Sequence, residues 1–255
     1  MNMTEIQIPC PSYEIAADWY QNGCDRTLLV IPGYQSSKRR QSGLILAVAL
    51  RHGFNALVLD YSGHGDSPID ISDTRPAQHL METVCAFDWL SQQWPNQRIS
   101  LMGTSYGGFQ AAYLTRYRDF SRLVLRTPAI YPPEYMYTLS EDIPRAEIAQ
   151  TYRKDAEAIS RHPIFTQEAQ FTGSALVVVH ELDEDIPPAT SNAYIDEFNA
   201  ETYIGSGMMH WSGDPANPEG ALEASYAAIG GNFVTGAWYL YFSHIHVLNY
   251  SRTAH

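Results

Sequence analysis

A chain of 255 residues with 45% hydrophobic and 17% charged side chains can bury a sizeable core, which excludes a disordered or collagen-like polypeptide. Its formal net charge of −12, with Lys38 and Lys154 as the only lysines, argues against a nucleic-acid groove or an anionic membrane surface as partner. Cys10, Cys24 and Cys85 are too few and too scattered for a disulfide framework or a zinc site, so free thiols are expected, with a Cys10 to Cys24 contact across an N-terminal hairpin as the alternative.

The first residues lack the basic and apolar regions of a secretory signal, and no apolar run reaches membrane-spanning length, so a soluble cytoplasmic protein is expected. Glu5 to Ile8 and Tyr13 to Tyr20 read as strands, turned at Asn22-Gly23 into the more apolar Thr27 to Ile31. After Pro32-Gly33-Tyr34, the helical spacing of Leu44, Ile45, Val48 and Ala49 predicts a helix within 36–52 ending at Gly53. Ala56 to Asp60 is apolar and β-branched enough for a central strand, followed by the Gly-rich loop Tyr61 to Pro68. A helix from about Ala77 to Trp94 carries the stripe Leu80, Val84, Phe87 and Leu90, and Pro95 stops it.

Ile99 to Met102 then runs into Gly103-Thr104-Ser105-Tyr106-Gly107, a G-x-S-x-G turn between a strand and the helix expected over Phe109 to Tyr117. In so tight a turn the flanking glycines leave the serine hydroxyl exposed, and the helix start aims N–H groups at developing negative charge. Leu123 to Leu125 reads as another buried strand. The stretch 129–173, with Pro132-Pro133, its cluster of tyrosines and a helical segment near Arg145 to Arg161, is too long for a simple connection and is expected to form a small lid. The pattern resumes with a strand over Ala175 to His180, a helix near Ala189 to Phe198 and a short strand over Glu201 to Ile204. Beyond His210 a helix is expected from about Pro218, and the aromatic run Ala237 to Phe242 is expected to pack on the sheet, with a homodimer contact as the alternative. Strands alternating with helices of ten to eighteen residues predict one α/β domain over 1–255 with a mainly parallel, doubly wound sheet and helices on both faces.

A serine hydroxyl is a weak nucleophile and needs an imidazole to take its proton, oriented by a carboxylate behind it. Downstream of Ser105, the loop His180 to Pro187 at the carboxyl end of a strand offers Asp183, with Asp185 and Glu181 as alternatives. His210, in a Gly-rich loop after the next strand, can curl back over the serine. His64 lies in a loop expected to face the same cleft, whereas His52, His79 and His162 sit in contexts that predict solvated surface positions. The N–H groups of Tyr106 and Tyr34 are the expected oxyanion donors.

Ile31-Pro32-Gly33-Tyr34, Asp60 to Ser67, Gly103 to Gly108, Asp183-x-x-Ile186-Pro187 and Gly207 to His210 occur in order at fitting spacings. Together they resemble the α/β-hydrolase superfamily of serine hydrolases, and the Ser-Tyr-Gly-Gly and Asp-x-x-Ile-Pro runs are similar to single-domain prolyl oligopeptidase-like and feruloyl-esterase-like members. Pro32 stands where many members have His, and Glu181 where Gly is usual. The second departure bears on the acid loop, because Glu cannot visit positive φ as Gly does. The resemblance implies acylation of Ser105 by a carboxylic ester of a small molecule, with a peptide, amide or thioester as alternative substrates and a silent binding protein as the competing class. Tyr131, Tyr135, Tyr137 and Trp211 are the expected apolar or aromatic pocket. No metal and no organic cofactor are implied.

Overall fold

The computed structural model describes residues 2–40 and 52–210. Eight strands form one sheet: β1 (Asn2–Pro9), β2 (Glu14–Gln21), β3 (Arg26–Ile31), β4 (Asn55–Leu59), β5 (Arg98–Thr104), β6 (Arg122–Arg126), β7 (Ser174–His180) and β8 (Glu201–Gly205). Their spatial order is β1-β2-β4-β3-β5-β6-β7-β8. The hairpin β1–β2 is antiparallel and β2 joins β4 antiparallel, while every pairing from β4 through β8 is parallel. The parallel strands are apolar on both faces because both are covered, the pattern that marks such sheets in sequence.

Register sorts the side chains into two layers. Leu29 lies opposite Leu57 and Leu101, and Leu101 opposite Leu123, all fully buried on one face. Val30, Val58, Met102 and Val124 form the matching row on the other. Burying a side chain of this size is worth roughly 1.5 to 3 kcal/mol, so these rows fix the register of the strands that end at the site.

The first face is covered by α1 (Pro76–Gln93), α2 (Tyr106–Leu114), α6 (Pro188–Phe198) and much of the 129–173 stretch, which carries α3 (Arg145–Gln150), α4 (Ala156–Ser160) and α5 (Pro163–Thr166). Two helical expectations need adjustment. The helix behind the serine starts at Tyr106, because Gly107 and Gly108 are integral to its first turn and pack closely against backbone. The segment expected as one helix near Arg145 to Arg161 is broken into α3, a 3-10 turn (Tyr152–Lys154) and α4. Asp155 causes the second break by accepting a hydrogen bond from the Ala158 N–H and so capping a new helix.

Between β3 and β4 a helical turn begins at Lys38–Arg40; the rest of the helix expected there falls outside the described residues, as do the expected helix near Pro218 and the aromatic run Ala237 to Phe242. The three cysteines are free thiols, and Cys10 lies close enough to Cys85 of α1 for the two thiols to interact electrostatically, in place of the contact with Cys24. Among the described residues no helix is long and apolar enough to cross a membrane.

Candidate active site

Ser105 sits between β5 and α2 with φ 52° and ψ −115°, a backbone conformation that L-residues rarely adopt. The turn holds it there sterically and by hydrogen bonds. A Cβ on Gly103 would lie 2.3 Å from the Gly107 carbonyl oxygen, and one on Gly107 would lie 2.1 Å from the Ile31 carbonyl oxygen. The Ser105 N–H donates to the Arg126 carbonyl at 2.9 Å, and its own carbonyl accepts from the N–H groups of Gly108 and Ala129 at 2.9 and 3.0 Å. Strand, helix start and the chain leaving β6 thus converge on one residue.

His210 reaches the serine from the loop after β8, its Nε2 lying 3.0 Å from Ser105 Oγ. Its Nδ1 lies 2.8 Å from Asp183 Oδ2, in the loop after β7. A carboxylate only accepts, so Nδ1 carries the proton and Nε2 is bare in the neutral ring, ready to accept from the serine hydroxyl. The second Asp183 oxygen accepts the N–H groups of Asp185 and Ile186, each at 2.9 Å. The Asp183 side chain is 1% exposed, so its orientation is locked and its interactions are little screened.

Three further side chains hold Asp183 and His210 in place: Arg153 and His180, to which sequence reasoning gave no role, and Glu181, which it offered only as an alternative acid. Arg153, buried within the 129–173 stretch, donates to the carbonyls of Ile130 and Asp185 and so ties that stretch to the acid loop. His180 donates from Nδ1 to the carbonyl of Met209 at 2.8 Å, bracing the chain immediately before His210. Burial and the nearby Arg126 charge push the His180 imidazole down to about 4, so it remains neutral in this role. Glu181 accepts from the Ser206 hydroxyl and the Gly207 N–H at 2.6 and 2.8 Å. It is not among the residues with positive φ; the position that suggested a distorted acid loop has an ordinary backbone and braces the histidine loop with its carboxylate.

The two expected oxyanion donors flank the serine. Tyr106 N–H belongs to the first turn of α2, where helices leave N–H groups unpaired. Tyr34 follows Gly33, whose added Cβ would lie 3.7 Å from Ser105 Cβ, and the Tyr34 N–H makes no backbone hydrogen bond among the described residues. Beneath them lies a polar cluster. His79 of α1 is fully buried, with Nε2 3.1 Å from the Ser62 carbonyl and Nδ1 2.8 Å from the Tyr106 hydroxyl. Because the carbonyl can only accept, Nε2 bears the proton and the tyrosine donates to Nδ1. Burial pushes this imidazole down to about 3, which keeps that tautomer pattern intact. The expectation of solvated positions for His79 and His162 is therefore corrected: both have 0% exposure, each with hydrogen-bond partners inside the fold. His52 is half-buried and its carbonyl accepts from Arg26. His64 does sit beside the site, edge-on to the Tyr34 ring, but buried.

The expected pocket residues are dispersed. Tyr131 is 3% exposed and packs its ring against Tyr106 and Phe109 under the serine turn. Tyr135 is half-buried against the core, Tyr137 is exposed, and Trp211 lies outside the described residues. A cavity of about 570 Å³ opens elsewhere, between α1, the end of α2 and the segment around Pro133, lined by Leu80, Met81, Val84, Tyr113 and Tyr137 and by none of Ser105, Asp183 or His210. Asp183, Asp185 and His210 bring ligand-type atoms within 4.8 Å of one another. Both His210 nitrogens are already engaged, by Asp183 and Ser105, so this trio offers no free imidazole nitrogen to a metal.

The sequence profile of the serine aminopeptidase family, S33, matches residues 24–173, more than half of the chain. Ser105 and the Gly33-Tyr34 turn fall inside the match; Asp183 and His210 fall beyond it. A comparison with curated proteins returns no match. Among solved structures, the esterase Pf2001 of Pyrococcus furiosus superposes with a TM-score of 0.62 at 15% identity, covering 95% of this chain and 91% of that one. A putative hydrolase from Agrobacterium vitis S4 gives 0.63 at 19% identity, over 89% and 97% of the two chains. Est1E from Butyrivibrio proteoclasticus, solved with ferulic acid bound, gives 0.59 at 18% identity over 80% and 90%. At these identities the likeness is one of fold, the α/β-hydrolase fold.

Proposed function

The chain belongs to the serine aminopeptidase family, S33, of α/β-hydrolases, and from that premise we propose that it is a serine hydrolase acting on a carboxylic ester of a small molecule through Ser105, His210 and Asp183. The observation that carries the reading is the continuous path Ser105 Oγ, His210 Nε2, His210 Nδ1, Asp183 Oδ2, with contacts of 3.0 and 2.8 Å. In the acylation step Ser105 Oγ forms a bond to the substrate carbonyl carbon while its proton passes to His210 Nε2. The carbonyl oxygen takes the negative charge and is met by the N–H groups of Tyr34 and Tyr106. Collapse breaks the ester bond, and the imidazolium returns the proton to the departing alcohol. A water molecule then repeats the sequence on the acyl-enzyme and releases the acid. Each oxyanion donor of this kind is worth about 3 to 4 kcal/mol of transition-state stabilisation.

An ester is favoured because similar folds include an esterase and a protein solved with ferulic acid. The family's own description favours a peptide or amide as the second reading, and the same groups would serve a thioester. The stretch 129–173 acts in this reading as a lid within a single domain, tied down by Arg153. A fluorophosphonate probe tests the proposal. It should label the folded protein and not Ser105→Ala; absence of labelling, or equal labelling of the variant, would refute a serine hydrolase. Matched p-nitrophenyl ester and p-nitroanilide substrates then separate the two readings.

A further inference from the structure

Arg145 is the first residue of α3, in the 129–173 stretch, and its guanidinium lies 3.5 Å from the centroid of the Tyr34 ring. One edge is satisfied internally: Nη1 donates to the carbonyls of Ser140 and Ile143 at 2.5 and 3.5 Å. The other edge is not. Nε and Nη2 are both shut off from water and make no hydrogen bond. These two atoms form the side of the guanidinium whose parallel N–H groups match the two oxygens of a carboxylate. Leaving such donors buried and unpaired is costly unless a partner completes them.

Their position bears on the reaction. Tyr34 follows the Gly33 turn that abuts Ser105, so the ring carrying the guanidinium belongs to the residue proposed to supply an oxyanion N–H. A second polar atom is unpaired beside the same ring. The Ser62 carbonyl takes the Nδ1 proton of His64, which leaves His64 Nε2 as a bare acceptor, buried and without a partner. Both shortfalls flank the Tyr34 ring, whose residue follows the Gly33 turn beside Ser105.

We propose that Arg145 is a specificity residue that binds a free carboxylate on the substrate through its Nε and Nη2 edge, so that the preferred substrates are monoesters of dicarboxylic acids. This rests on the serine hydrolase reading. One guanidinium balances one negative charge, and Glu141 lies close enough to act electrostatically on Tyr34, so a singly charged carboxylate fits better than a doubly charged phosphate. The cation held on an aromatic face is fixed in place before the substrate arrives.

The experiment compares kcat/KM for mono-p-nitrophenyl esters of succinic, glutaric and adipic acids with uncharged p-nitrophenyl esters of the same chain lengths. The native protein should favour at least one charged ester by on the order of 30-fold, the lower range for losing one partner of a buried charge pair. Arg145→Gln should bring that ratio to about one. Arg145→Lys keeps the charge without the two-point edge and should restore only part of it; if Arg145→Gln does not fold, as judged by its melting transition, the lysine variant decides. No preference in the native protein, or a preference undiminished in the variants, overturns the proposal. If none of the esters turns over, the hydrolase reading fails separately, and calorimetric titration with glutarate and adipate still decides this one. One-to-one binding lost in Arg145→Gln supports the site, and no binding overturns it.

Discussion

Replacing Asp183 by Asn exchanges a single oxygen for an NH2 group, and the hydrogen bonds around the side chain determine the outcome. Asp183 Oδ1 accepts two backbone N–H groups, from Asp185 and Ile186, at 2.9 Å each. The amide oxygen of the substituted side chain would have to stay there, because turning the NH2 group toward two buried donors forfeits both bonds at about 1 to 3 kcal/mol apiece. The NH2 group therefore faces His210 Nδ1, where Asp183 Oδ2 accepts at 2.8 Å in the native protein. Facing a donor, Nδ1 must be bare, so the ring proton moves to Nε2 and points at Ser105 Oγ, and the base can no longer accept the serine proton. The flipped amide that would restore the working tautomer is disfavoured by about 2 kcal/mol or more, roughly 30-fold, and even it lacks the negative charge that stabilises the imidazolium. Together these should lower kcat by roughly 10⁴, the loss that a wrong tautomer brings in serine proteases, equivalent to about 5.5 kcal/mol. The assay is kcat on p-nitrophenyl butyrate with the rate of fluorophosphonate labelling in parallel, and the melting temperature should move little because the backbone bonds are retained. Asp185→Asn is the control, since the Asp185 carboxylate is not in the chain of contacts from Ser105. If Asp183→Asn stays within about tenfold of the native rate, or Asp185→Asn falls equally far, the assignment of the acid is refuted.

Acid should unfold the protein early. His79, His162 and His180 are held neutral by burial, pushed down to about 3, 4 and 4 from an ordinary value near 6.5. The unfolded chain therefore binds protons that the folded chain refuses, so stability is full above about pH 6.5 and is lost as pH falls from there toward 4. The loss is about 1.4 kcal/mol per pH unit per histidine, or roughly 4 for the three. The urea midpoint measured between about pH 7.5 and 5 should drop accordingly, and a flat profile would contradict the burial. The strained backbone at Ser105 makes a separate prediction: Ser105→Gly should melt a few degrees above Ser105→Ala, because glycine relieves a φ of 52° that costs on the order of 1 to 3 kcal/mol.

Much of the site is legible in the sequence because its parts are local. Glycines at 103 and 107, a short apolar strand before them and a helix behind them specify the serine turn within a few residues, and the clashes a Cβ would make there explain why. The loops after β7 and β8 announce Asp183 and His210 by their place at the carboxyl ends of parallel strands. The contacts that tighten those loops are not legible. Arg153, His180 and Glu181 act on groups 23 to 32 residues away, and no spacing in the sequence marks such pairs.

The face of α1 shows the physical reason for the largest departure from expectation. Helical periodicity points the apolar stripe Leu80, Val84, Phe87 and Leu90 at the core, and Phe87 and Leu90 are buried in it, but Leu80 and Val84 pack only half-buried at its edge, where they also line the cavity. The inward face also runs through His79, Glu82, Thr83 and Ala86, an i, i+3, i+4, i+7 set with polar members. A polar stripe enters a core only when each atom meets a fixed partner, and here the partners come from distant parts of the chain: the Ser62 N–H and Tyr13 hydroxyl for Glu82, the Ser62 carbonyl and Tyr106 hydroxyl for His79. The partner of His79 is the residue that follows Ser105. A hydrophobic side chain at position 79 would satisfy the periodicity and leave Tyr106 without its acceptor, so the polarity that disguises the inward face of the helix is what anchors the start of α2 beneath Ser105.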